Sequence, residues 1–348
     1  MTNPPRRRLR DLGITIGTYP PGPHNAVTDV EGVRVGHVTL VEGERTRTGA
    51  TAVLPHGGNL FQDKVPAGIA VLNGYGKFAG ISQIVELGEI ETPIVLTNTL
   101  AVGRAIEAIN RYTLVQPGNE LTTSLNAVVG ETNDSRLNDI RANRPSVEEV
   151  VRAIEVAQPS PPEEGGVGAG TGTVAFGLKG GIGTSSRRVR AAGEDFMIGV
   201  LVQSNYGGHL RINGKPHVND PAHDKDGSIV MILATDAPLS SRNLARLAER
   251  CHGGLARTGA ALSNGSGDYA LAFSTHEAVR RTPKRRKAVH AYPDLSNDAI
   301  SPLFEAAIEA TEEAILNSLT MADPTHGYDT ARDKPSYFAA LSLGQGHA

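Results

Sequence analysis

The run Ser228-Ile-Val-Met-Ile-Leu-Ala-Thr is apolar on both faces of any strand it could form. Such a strand must be covered from two sides, so it belongs in the middle of a layered structure. Composition says what the layers are made of. Aromatic residues are 4% of the 348 positions, Trp is absent and Gly numbers 40. A core built from Val, Ile, Leu and Ala with close backbone approach favours stacked sheets and helices over a helical bundle.

The rest of the chain supplies those elements in a mixed order. Residues 33–40 alternate apolar and polar, as a half-buried strand does, while 67–72 and 92–97 read as buried strands. A helix is expected from Ala101 to about Tyr112. Another opens at Ser146, which forms a capping box with Glu149 directly after Pro145. It ends before the Pro/Gly-rich connection 158–166. Residues 173–178 and 197–203 are further strand candidates, as is 269–274. Ser240 or Ser241 caps a helix that buries Leu244, Leu247 and Ala248. The last helix begins near Pro302 and turns Leu303, Ala307, Ile308, Ala314 and Ile315 inward. This order predicts an α+β single domain of stacked sheets flanked by helices. Lys284-Arg-Arg-Lys reads as a solvated loop.

Several function classes fall away. The net charge is -3, which gives no general attraction to nucleic acid or to an anionic membrane. Apolar runs stop short of the ~18 residues of a membrane span. The basic start at Met1 lacks the apolar stretch of a secretory signal. Cys251 is the single cysteine, so no internal disulfide forms, and a cytoplasmic location is expected. A dinucleotide fingerprint starting at Gly168 needs glycine at Thr173, and Gly177-Leu-Lys179-Gly departs from a phosphate-binding loop. No cofactor is implied. His217, His223, Asp224 and Asp226 lie in the polar stretch 209–227 and read as solvated loop residues, with no metal expected.

One junction carries a definite chemistry. The polar stretch ends abruptly at Gly227-Ser228, where the buried strand begins. A free N-terminal serine holds nucleophile and base on one residue, since an α-amine titrates near pH ~8. Such a terminus arises in mid-chain only by self-cleavage, and a preceding glycine tolerates the dihedrals this requires. Taken alone, Asp226-Gly-Ser before a strand is also what an ordinary turn looks like.

Other segments bear on that choice: Leu72-Asn-Gly-Tyr-Gly, Leu96-Thr-Asn-Thr, Val129-Gly-Glu-Thr-Asn-Asp, Gly177-Leu-Lys-Gly-Gly-Ile-Gly-Thr-Ser-Ser-Arg, Val202-Gln-Ser-Asn-Tyr-Gly, Ala234-Thr-Asp-Ala-Pro-Leu and Asn264-Gly-Ser-Gly-Asp. With Asp226-Gly-Ser-Ile-Val they make the chain resemble, along most of its length, the family of L-aminopeptidase/D-esterases and beta-peptidyl aminopeptidases of the DmpA type. The resemblance implies a four-layer αββα sandwich, shared with the ornithine acetyltransferases. It also implies cleavage into an α chain, 1–227, and a β chain, 228–348, with Ser228 as nucleophile. Asn205 then matches the oxyanion-binding amide, and Ser266 and Asp268 the second serine and its acidic partner. Glu131 matches the acid that receives the substrate's free amine.

The implied substrate is a small peptide, amide or ester with that amine, and the implied assembly is a homo-oligomer of αβ units. Read by themselves, Asn205 is also a turn residue, Ser266 and Asp268 a tight hairpin with its cap, and Glu131 a solvated strand-end charge. The base is either the Ser228 amine or the Ser266/Asp268 pair. Relatives tend to carry a tyrosine soon after the position of Glu131, and here none occurs from Glu131 to Ile140. Acetyl transfer of the ornithine acetyltransferase type is the alternative activity.

Overall fold

The computed structural model describes residues 5–217 and 227–343, so His223, Asp224 and Asp226 lie outside the described residues. The strand Ser228–Thr235 stands in the middle of a six-stranded sheet. Glu194–Asn205 pairs antiparallel on one side of it, and Gly267–Ser274 pairs parallel on the other. Gly181–Ala191, Val65–Gly74 and Glu89–Ile90 complete the sheet. A five-stranded sheet is built from Arg34–Glu42, Thr46–Leu54, Ile94–Asn98, Val128–Thr132 and Phe78–Ala79.

The strand 228–235 shows why the layers number four. Met231 and Leu233 pack with Leu244, Leu247, Leu303 and Ile315 of the helices Ser241–Arg257 and Ser301–Thr320. Val230 and Ile232 point the other way, into a core shared with Ile94, Leu96 and Val128 of the second sheet. The far face of that sheet, through Val95 and Val129, packs on Ile109 and Val150 from the helices Val102–Leu114 and Val147–Glu155. Burying each such aliphatic side chain contributes about 1.5–3 kcal/mol before entropy is counted. The result is helix, sheet, sheet, helix, the expected αββα order. Among the described residues no helix is long and apolar enough to cross a membrane.

The predicted caps are present: Ser146 and Glu149 bond reciprocally, and Ser240 receives the Asn243 N–H. Four segments differ from expectation. Residues 173–178 are not one strand; Phe176 and Gly177 take φ of +53° and +72° and fold Val174–Ala175 back on Leu178–Lys179. Within 209–217, Arg211–Ile212 pairs with Lys215–Pro216, and Leu210 and Ile212 are buried in the helix-side core. Pro283–Arg286 is a helical turn capped by Thr282, because proline suits a first helical position. Finally, Thr325–Asp329 and Lys334–Phe338 form a hairpin that the sequence did not announce.

Candidate active site

Strand register assembles the site. Asn205 lies opposite Ser228 in the antiparallel pair, and Ser228 lies beside Gly267 in the parallel pair. Three adjacent strands thus present Asn205, Ser228 and Gly267 side by side. Ser228 is 8% exposed. The Gly267 N–H is shared between Ser228 Oγ at 3.1 Å and the Gly227 carbonyl at 3.2 Å. Gly227 has φ +149°, and a Cβ there would lie 2.2 Å from the Asn205 carbonyl oxygen. Only glycine fits before this serine, on both dihedral and steric grounds.

The Asn205 side chain is oriented from behind. Its Oδ1 accepts the Val174 N–H at 2.9 Å, which leaves the amide NH2 as its donor end. Val174 belongs to the folded-back segment that the sequence reading made a strand, and a buried lysine holds that segment in place. Lys179 Nζ donates to the carbonyls of Gly170, Thr173 and Gly180 at 2.7, 3.1 and 2.7 Å. Three acceptors match the three N–H bonds of an ammonium. Burial pulls the Lys179 pKa down to about 7, and the Asp134 charge opposes that shift. Lys179→Met should remove one donor from each of three buried carbonyls, of which those of Gly170 and Thr173 keep another, and lower stability by about 1–3 kcal/mol, read as a lowered midpoint of denaturant unfolding. An unchanged midpoint would refute this account of the segment.

Ser266 Oγ donates to Asp268 Oδ1 at 2.6 Å, and Asp268 Oδ2 has no hydrogen-bond partner among the described residues. Burial raises the Asp268 pKa, while the Ser266 bond opposes the rise. Glu131 comes from the other sheet and is 2% exposed. Its carboxylate accepts the Lys77 N–H at 2.8 Å and the Thr99 hydroxyl. Gly267 sets how near the two sheets' loops come: a Cβ on it would lie 2.7 Å from the Gly76 nitrogen. The chain at 76–77, which holds Glu131, therefore lies directly against the strand beside Ser228.

Glu131, Asn205, Gly227 and Ser228 all line one cavity of about 990 Å³. Ser266 and Asp268 are not in its lining; they flank Gly267, whose N–H touches Ser228. So strand register places Asn205 and Ser228 beside the Ser266/Asp268 pair, and packing of the two sheets adds Glu131. The hairpin 325–338 supplies much of the remaining wall, through Asp329, Arg332, Lys334 and Tyr337. Tyr75 and Tyr337 also border the cavity, although the stretch after Glu131 has no phenol. No local signal marked the hairpin, because its role depends on where the chain end packs. The Gly267 N–H was equally hidden, being a backbone group. Among the described residues no cluster of three metal-ligating side chains occurs.

A serine hydroxyl at the buried start of a central strand, behind a position that only glycine fits, within an αββα sandwich, is the arrangement that a serine hydrolase of the N-terminal-nucleophile class requires. The signature of peptidase family S58 matches residues 25–332, and the chain belongs to that family. It is 40% identical, over 92% of its length and 87% of the relative's, to beta-peptidyl aminopeptidase BapA of Sphingosinicella microcystinivorans. In structure it is similar to the PH0078 protein from Pyrococcus horikoshii OT3, with TM-score 0.89, 46% identity and 96% of each chain covered. It is also similar to the L-aminopeptidase D-Ala-esterase/amidase from Ochrobactrum anthropi, described as a prototype serine aminopeptidase with a variant Ntn hydrolase fold. There the TM-score is 0.86 at 35% identity, covering 96% of this chain and 95% of that one. The serine aminopeptidase reading therefore stands, and the acetyltransferase alternative is not favoured.

Proposed function

We propose that the chain cleaves itself between Gly227 and Ser228, and that the resulting αβ enzyme removes N-terminal residues, β-amino residues among them, from short peptides, amides or esters. The observation that carries this reading is the alignment of Asn205, Ser228 and Gly267 on three neighbouring strands. In the first step Ser228 Oγ attacks the Gly227 carbonyl carbon, and the Gly267 N–H at 3.2 Å from that carbonyl oxygen meets the growing charge. The C–N bond breaks, the amine of Ser228 takes a proton, and water hydrolyses the ester left on Oγ. The products are a carboxylate at Gly227 and a free serine at 228.

The second cycle repeats this chemistry on substrate. Oγ attacks the first carbonyl of the substrate, its proton passing to the Ser228 amine or through Ser266 to Asp268. Asn205 donates to the oxyanion, and the leaving amine departs protonated. Water then releases the acyl group. Glu131, nearly fully buried, pairs with the substrate's ammonium; a blocked amine leaves that carboxylate without its partner, which makes the enzyme an exopeptidase. A homo-oligomer of αβ units is the assembly that the family resemblance implies, and the single cysteine fits a reducing, cytoplasmic setting.

Intact mass spectrometry of the purified protein tests the first step: two polypeptides are expected, one ending at Gly227 and one beginning at Ser228. Hydrolysis of β-alanyl and L-alanyl p-nitroanilides, with none of their N-acetyl forms, tests the second. An uncut chain, or equal rates on blocked and free amines, would overturn the proposal.

A further inference from the structure

The cavity is larger than one aminoacyl group requires, and its charge is unevenly placed. Its titratable lining comprises Lys77, Arg136, Arg332 and Lys334 against Glu131 and Asp329. Glu131 is held by Lys77 and Thr99 beside Gly76 and Tyr269. Asp329 is already engaged: it accepts the Arg332 N–H at 3.1 Å and lies 3.7 Å from its guanidinium. Of the hairpin's charges that line the cavity, Asp329 balances Arg332 and the Lys334 ammonium remains, so this wall carries net positive charge, while the acid for the ammonium stands elsewhere.

That wall is one fixed unit rather than a set of loose surface chains. Tyr328 N and Thr330 N donate to the carbonyls of Leu137 and Ser135 at 3.0 and 2.9 Å, and Ser336 Oγ donates to the Arg136 carbonyl at 2.6 Å. The Arg136 guanidinium lies 4.6 Å over the Phe338 ring, which ties the two segments together again. Arg136, Arg332 and Lys334 thus move with a single backbone framework.

Resting on the aminopeptidase reading above, we propose that this wall is an anion subsite for the leaving group, which takes a carboxylate on the released amine. The acyl residue is fixed between Glu131 and Ser228, so whatever follows the scissile bond occupies the rest of the cavity. The preferred substrate is then bipolar, with an ammonium at one end and a carboxylate just beyond the cleaved bond. That carboxylate is either the C-terminus of a dipeptide or an acidic side chain on the second residue.

The test compares kcat/KM of the self-cleaved enzyme on β-alanyl-alanine, β-alanyl-alaninamide and β-alanyl-glutamic diamide. At low salt the free acid should exceed the amide by about 3- to 10-fold, the size expected for two or three partly screened charge pairs. Salt near 0.5 M should shrink that advantage. In an Arg332→Gln, Lys334→Gln double variant the acid-to-amide ratio should fall toward one. Because both side chains are exposed, the variant keeps its fold, and the ratio is its own internal control. A rate on the glutamic diamide close to that on the free acid assigns the subsite to side-chain carboxylates as well; a rate close to the alaninamide confines it to the C-terminus. Equal rates on acid and amide at low salt, or a preference that survives the double variant, would overturn the proposal while leaving the aminopeptidase intact. Absence of hydrolysis on all three and on L-alanyl p-nitroanilide would instead defeat the aminopeptidase reading, and this inference with it.

Discussion

Ser228→Ala is expected to give a single uncut chain of 348 residues with aminopeptidase activity lowered by on the order of 10⁴–10⁶. The effect is this large because one hydroxyl serves twice. Without Oγ nothing attacks the Gly227 carbonyl, so the α-amine is never freed; without the amine and the hydroxyl, no acyl-enzyme forms. The substitution removes one oxygen at a strand start whose pairing with Asn205 and Gly267 is through the backbone, so the fold should persist. Circular dichroism would verify that. Ser228→Cys supplies a different nucleophile at the same place and should still be cut. A denaturing gel separates the cases, and two fragments from Ser228→Ala would remove Ser228 from the mechanism.

That the central strand beginning at Ser228 was legible in the sequence follows from burial on both of its faces. An eight-residue run without a wet face can occupy few positions in a fold, and the polar stretch before it marks where the chain enters the layers. The caps were legible for a related reason: Ser146 with Glu149, and Ser240, satisfy helix N–H groups within three residues of themselves, so sequence distance and spatial distance agree. The strand Gly181–Ala191 was not legible. Its middle is Thr184, Ser185, Ser186 and Arg187, all buried. Their partners are remote: Thr184 accepts from Val27, Ser186 bonds Asp29, and Arg187 pairs with Glu309 and Glu313. Hydrophobic alternation cannot reveal a strand whose polar side chains find partners 120 or more residues away.

The site divides along the same line. Glu131, Asn205, Ser228, Ser266 and Asp268 came from matched motifs, and the register supplies the geometry that makes their grouping intelligible. What no motif marked are groups that act through the backbone or through tertiary placement. The Gly267 N–H belongs to no side chain. Lys179 sits within a matched segment, yet its contact set is three carbonyls created by the turn at Phe176 and Gly177. The hairpin 325–338 enters the cavity wall because its backbone pairs with 135–137, a contact between segments nearly 200 residues apart.

Asn205→Ala should lower kcat by about 10²–10³ with little change in KM, because the amide donates to an oxyanion that exists only along the reaction path. Self-cleavage should continue in this variant, since the Gly227 carbonyl already receives the Gly267 N–H. Asn205→Ala is thus expected to yield two fragments and a slow enzyme, in contrast to Ser228→Ala. Asn205→Asp separates charge from packing. The Val174 N–H can still donate to one carboxylate oxygen, so the side chain stays oriented. The other oxygen then faces the cavity as an acceptor where a donor is required, and a negative charge meets the developing oxyanion. If the amide works by hydrogen-bond donation, the aspartate variant must be slower than the alanine variant although it fills the space better. Single-turnover rates on a β-alanyl p-nitroanilide would decide this, and an aspartate variant as fast as the wild type would exclude Asn205 from oxyanion binding.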